Sequence, residues 1–128
     1  MAWKKATPAT TGLKRATIVI DATDKIVGRL ATDIVKKLIG KDQPSYTPHI
    51  DTGVRIKVIN SAKLVYSGKK MDQKVFFRSS NRPSGIKRIA VRKLQEDQPG
   101  EILRHAVKYM LPKNRTQNER LKRLIIEA

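Results

Sequence analysis

The chain has 128 residues, the size of one domain, and its 39% hydrophobic content supplies one modest core. It has no cysteine, which excludes a disulfide framework and a cysteine metal site, and no apolar run approaches the roughly 20 residues of a membrane helix. Twenty-eight Lys and Arg against 11 Asp and Glu give a formal charge of +17, so the expected partner is a dense polyanion, nucleic acid first and an anionic membrane second.

Residues 1–16 carry four bases, including Lys4 and Lys5, and no acid. They lack apolar periodicity, contain Pro8 and Gly12, and read as an extended basic tail ahead of a single domain at 17–128. No apolar segment of secretory type occurs there, while the Thr-rich, acid-free composition leaves a transit peptide open. Ile18-Val19-Ile20 is a continuous β-branched run, which predicts a strand buried on both faces. Val27, Leu30, Ala31, Ile34, Val35 and Leu38 then fall on one face of a helix. Thr23 or Asp24 can cap its start, and Gly40 suits its end. Arg29, Asp33 and Lys37 lie on the other side at i,i+4 spacing.

Residues 41–53 form a loop, and the alternation of residues 54–58 predicts a strand with one polar face. Asn60 or Ser61 can cap a short helical turn through Val65, ended by Gly68. Val75-Phe76-Phe77 reads as a third strand, residues 78–88 as a loop around Pro83 and Gly85, and residues 89–94 as a helix. Pro99 suits the first position of the next helix, with Glu101 in its first turn. Ile102, Leu103, Ala106, Val107 and Met110 give that helix its apolar face, and Leu111-Pro112 ends it. Leu124-Ile125-Ile126 is a last short strand. The alternation of strands and helices predicts an α/β fold with a mainly parallel sheet and helices on its faces.

Asp51-Thr52-Gly53 is the triplet that carries the catalytic carboxylate of aspartic proteases. A one-domain protease of that kind must dimerise, is almost wholly β, and needs a Gly-rich flap hairpin that is missing here. Arg55 and Lys57 also follow the triplet, a poor setting for two carboxylates sharing a proton. The triplet reads as a turn, its Asp and Thr side chains bonding nearby backbone N–H groups and Gly53 accepting positive φ. His49 and His105 stand 56 residues apart with no carboxylate cluster, so no zinc site is expected. Gly28-Arg29 opens a helix without a GxGxxG pattern. It can hold one phosphate of a larger polyanion, or Arg29 can be a surface partner of Asp33.

Residues 61–95 hold ten bases and one acid, more than half of the whole excess charge. Lys69, Lys70, Lys74, Arg78, Arg82, Lys87 and Arg88 are interleaved there with Gly, Ser and Pro, so side chains and backbone amides can both reach phosphates. Aromatic residues are scarce at 5%; Phe76 and Phe77 can stack on bases or enter the core. The pattern favours folded RNA read by shape over single strands read by stacking. Two other readings stay open on composition. A free nucleic-acid-binding regulator should present a groove-fitting basic helix, and a doubly wound phosphate-ligand enzyme should show a Gly-rich loop with an acid/base pair.

The stretches IDATDKIVGRLAT, LIGKDQPSYTPHIDTG, VINSAKLVYSGKK, AVKYMLPKN and RLKRL, in that order, resemble the bacterial form of the ribosomal protein L13 family from about Ile18 to Leu124. The resemblance implies a three-layer α/β/α fold around a four-stranded parallel sheet, with no enzyme activity and no cofactor. It implies binding to large-subunit 23S rRNA beside neighbouring large-subunit proteins, with an early role in assembly. Neither a membrane nor a small-molecule substrate is implied, and the location is the cytoplasmic ribosome or an organellar one. Carried over by position, the RNA-facing residues are Lys69, Lys70, Lys74, Arg78, Pro83-Ser84-Gly85, Lys87 and Lys113-Asn114. The reading of the residues adds Lys4, Lys5, Arg29, Arg82, Arg88 and Arg115. The chain departs from the family pattern at Thr17, Val54, residues 79–86 and Tyr109.

Overall fold

The structure, a computed structural model, describes residues 14–128. Lys4, Lys5 and most of the expected tail therefore lie outside the described residues. The fold is α/β, as the sequence predicts. β1 (Thr17–Asp21), β2 (Arg55–Ile59) and β5 (Leu124–Ile126) form a parallel sheet in the order β1-β2-β5. Ile18 pairs with Ile56, which pairs with Leu124, so apolar side chains line up in a row across one face. One parallel bridge, Ile26 to Val65, extends the pairing beyond the strand ends.

The helices gather on that apolar face. α1 (Val27–Ile39) packs against α4 (Pro99–Met110), while α3 (Val91–Asp97) and α5 (Gln117–Lys122) also pack on α4. Both crossovers step the same way across the sheet, and the right-handed rule then puts their helices on the same side. Among the described residues there is neither a fourth parallel strand nor a second helical layer. β1 accordingly corrects the expectation of a strand buried on both faces: Val19 is 60% exposed. Its β-branched run records strand propensity, not burial. Ile34, Leu38, Ile56, Leu103, Val107 and Leu124 form the centre of a single core, each contributing about 2 kcal/mol of burial.

The caps differ from expectation at the start of α1 and agree at its end. Neither Thr23 nor Asp24 caps the helix; Ile26 holds the cap position with no side-chain bond. Asp21 claims Thr23 instead, accepting from its backbone N at 3.0 Å and its hydroxyl at 2.7 Å, and accepting Asn60 Nδ2 at 3.0 Å. These donors, led by the Thr23 N–H, hold the Asp21 carboxyl down at about 2. Asn60 is thereby drawn away from capping, and the turn that follows is a single 3-10 turn, Ser61–Lys63. Gly40 closes α1 at φ 86, its N–H donating to Lys36 O at 2.9 Å.

The segment from 69 to 97 departs most from the expected pattern. A short helix α2 (Lys70–Gln73) precedes an antiparallel hairpin of β3 (Val75–Ser79) and β4 (Ile86–Ala90). The expected loop at 78–88 is thus strand at both ends, with Pro83 and Gly85 confined to the turn. The expected helix at 89–94 starts later, at Val91, because Ile89 and Ala90 complete the ladder opposite Phe76 and Val75.

Candidate nucleic-acid interface

The hairpin stands on α4. Phe76, on β3, packs its ring 4.3 Å from that of His105, and Val91 N donates to Lys74 O at 3.0 Å. Alternation then sends Phe77 to the opposite side, where it is 67% exposed beside the Arg88 guanidinium, 5.8 Å from its ring. Arg78 and Lys87 lie further out and pair directly across the ladder. They border a hollow of about 480 Å³ with Ser79, Ser80 and Asn81. Arg82 caps the tip from the exposed turn. Ser80 keeps that turn closed, donating from its backbone N and its Oγ to Gly85 O, each at 2.7 Å.

A larger groove of about 680 Å³ lies between the foot of the hairpin, α2, the start of α1 and the end of α4. Lys70, Lys74, Phe76, His105 and Tyr109 line it, together with Gly28. Burial pushes the His105 imidazole below its ordinary value, and the charges of Lys74 and Lys108 push the same way. Lys113 follows α4, its Nζ 5.9 Å from the Tyr109 ring. Arg29 is exposed next to Gly28, and Lys69 and Arg115 are exposed on the loops that lead into α2 and α5. Lys70 and Lys74 are therefore brought to one groove, and Lys113 borders a separate hollow with Lys108, Tyr109 and Gln117. Arg78, Lys87 and Arg88 share the hairpin, and Arg115 stands apart on its loop.

The pairing of charges separates this region from the rest. Of the ten bases in residues 61–95, only Arg92 has a carboxylate within ion-pair distance among the described residues, Asp72 at 3.6 Å. Arg29 likewise makes no ion pair with Asp33; Lys37 pairs with Asp42 at 3.6 Å. Elsewhere Lys57 pairs with Glu127 at 2.8 Å, and Arg104 with Glu101 at 3.7 Å.

Asp51 sits in the strongest cluster. Arg123 grips both of its carboxylate oxygens, Arg120 Nε donates to Oδ1 at 3.2 Å, and Arg15 lies 4.0 Å from Oδ2. Burial raises the Asp51 carboxyl, but the Arg123 and Arg120 bonds and charges outweigh it and hold the group below its ordinary value. An anion fixed in this way cannot share a proton, which removes the protease reading. It also corrects the expected turn. Asp51 bonds distant arginines instead of local N–H groups, and Gly53 is not at positive φ. Gly53 is needed because a Cβ there would lie 1.7 Å from Leu38 O. The sequence reading missed this cluster, and it missed the Phe76–His105–Tyr109 contact, because neither is local in the chain. Among the described residues no three His, Asp or Glu side chains converge as a metal site, and no helix is long and apolar enough to cross a membrane.

The model of the ribosomal protein L13 family matches residues 15–126. The chain is 47% identical over 116 residues to the large ribosomal subunit protein uL13 of Thermotoga petrophila, covering 91% of this chain and 78% of that protein. It is 48% identical over 111 residues to the uL13 of Crocosphaera subtropica, covering 87% and 74%. With the uL13 of Maridesulfovibrio salexigens the identity is 40% over 121 residues, covering 94% and 85%. A family match over residues 15–126, together with identities of this extent over most of the chain, places the chain in the ribosomal protein L13 family.

Proposed function

We propose that the protein is a structural, non-enzymatic constituent of the large ribosomal subunit that binds large-subunit rRNA through phosphate contacts and supports early assembly of the subunit. The observation that carries this reading is the set of exposed bases without ion-pair partners on the hairpin, α2 and the groove, beside well-paired charges elsewhere. Lys69, Lys70, Lys74, Arg78, Arg82, Lys87 and Arg88 contact phosphates from α2 and the hairpin, Arg29 from the start of α1, and Lys113 and Arg115 from the loop after α4. Residues 17–128 act as one RNA-binding unit, to which residues 1–16 add Lys4 and Lys5 as a basic tail. Neighbouring large-subunit proteins complete the surroundings, and the location is the ribosome.

Counterion release dominates such binding. Affinity for large-subunit rRNA should fall roughly 10³-fold between about 50 and about 200 mM salt, as for a protein that neutralises six or more phosphates. Sucrose-gradient fractionation of a native lysate should place the protein in the large-subunit peak. A shallow salt slope together with recovery in the soluble fractions would overturn the reading.

A further inference from the structure

We propose that the groove between α2, the foot of the hairpin and α4 takes one unpaired rRNA nucleotide, its base stacked on the exposed end of the Phe76–His105–Tyr109 ladder and its phosphates held by Lys70 and Lys74. This rests on the rRNA-binding reading above and goes beyond it, because it assigns a base-stacking contact to a surface otherwise described by charge.

Four observations converge. The groove, at about 680 Å³, has room for a nucleotide. Its lining is mainly apolar and aromatic, as a base requires, and carries Lys70 and Lys74 but no Asp or Glu, as a phosphate requires. The three rings are in continuous contact, 4.3 Å from Phe76 to His105 and 4.5 Å from His105 to Tyr109. The ladder ends in a Tyr109 that is 64% exposed. Base stacking on exposed aromatic side chains is the common way proteins hold splayed RNA bases. His105 supports this as a neutral ring, since burial and the nearby lysines disfavour its charged form.

Gly28 adds to these. It lies in the first turn of α1 and lines the groove, yet nothing stands within 4 Å of where a Cβ would project. Glycine is a poor helix residue, and the fold gives no internal reason for it here. Close approach of a ligand from outside supplies one.

The test uses the full-length protein with deproteinised large-subunit rRNA as probe. Tyr109→Ala should weaken binding about tenfold at every salt concentration, the value of one lost base–aromatic stack, with the salt slope unchanged. Gly28→Ala should weaken binding while leaving the thermal midpoint of the free protein unchanged or raised. Ultraviolet crosslinking of intact large subunits should give nucleotide adducts on Phe76, His105 or Tyr109. If the wild type binds with a steep salt slope, but both variants bind equally well and the groove yields no adduct, the groove is not a nucleotide site. If the wild type does not bind rRNA at all, the broader reading fails along with this one.

Discussion

Arg78 and Lys87 stand directly opposite each other across the β3–β4 ladder, and neither has a carboxylate within ion-pair distance among the described residues. Like charges so placed weaken a hairpin. Lys87→Glu would pair with Arg78 and should stabilise the free protein by about 0.5 kcal/mol. The same change should weaken rRNA binding and lower the salt slope by about 1 or more. Thermal melts and salt-dependent filter binding give the two readouts. Unchanged stability would show that solvent already screens the cross-strand repulsion in the free state, and a loss of stability would contradict the repulsion.

Asp51→Asn keeps the shape of the side chain and removes its charge. Arg120 and Arg123 are then left buried without their anion, and Arg15 loses its nearest carboxylate. Breaking a buried pair by deleting one partner costs about 3 kcal/mol. Chemical denaturation should show a loss of that order. The variant, isosteric at what looks like a catalytic motif, should therefore fail in stability first and in RNA binding only as a consequence. A change below about 0.5 kcal/mol would mean that the arginines stay solvated, as in an ordinary surface pair.

Gly53→Ala should also be severe, although the backbone there has no unusual φ. Its Cβ would lie 1.7 Å from Leu38 O, the carbonyl that also accepts Arg123 Nη2 at 3.0 Å. Relieving the overlap must move either the end of α1 or the start of β2. A loss of about 3 kcal/mol is expected, the upper end of overpacking costs. The melt of Gly28→Ala provides the internal control.

Below neutrality the pH dependence has two steps, and both have the same sign. His105 and Asp51 are each held below their ordinary values, so the unfolded chain binds more protons than the folded one in each window. The His105 contribution is complete above 6.5 and is lost as pH falls below that value. The Asp51 contribution is complete above 3.8 and is lost as pH falls further, with Asp21 acting in the same direction down to about 2. Denaturation free energy should be flat from neutrality up to 10.0, where burial of Tyr66 begins to oppose its ionisation, dip slightly below 6.5, and fall more steeply under 3.8. His105→Gln should remove the first dip and Asp51→Asn should flatten the second limb. A flat profile through both windows in the wild type would contradict the assignment.

The elements that were legible are those whose pattern is local. α1 and α4 carry apolar stripes, β2 alternates, and Gly40 and Pro99 sit where helix ends require them. The hairpin was hidden because its outward residues, Arg78, Lys87 and Arg88, are charged and its turn holds Pro83 and Gly85. A strand is read from the face that it buries, and the outer half of this hairpin buries little within the chain. α5 was hidden for a related reason: its most buried residue is Arg120, which looks like a surface residue in the sequence. The bases of the proposed interface were legible as a group, since composition alone shows them. Their arrangement around a groove was not legible, because Phe76 meets His105 and Tyr109 only through the fold.

The sheet has a further consequence for the free chain. β1 and β5 are its outer strands, and among the described residues each pairs on one side only. Unpaired strand edges are templates for strand addition between copies. Val19 and Ile125 leave apolar surface beside those edges, 60% and 53% exposed. What opposes self-association is mutual repulsion between molecules of charge +17. The excess charge thus serves the unassembled protein as colloidal protection, and a polyanion that neutralises it without seating the fold would take that protection away.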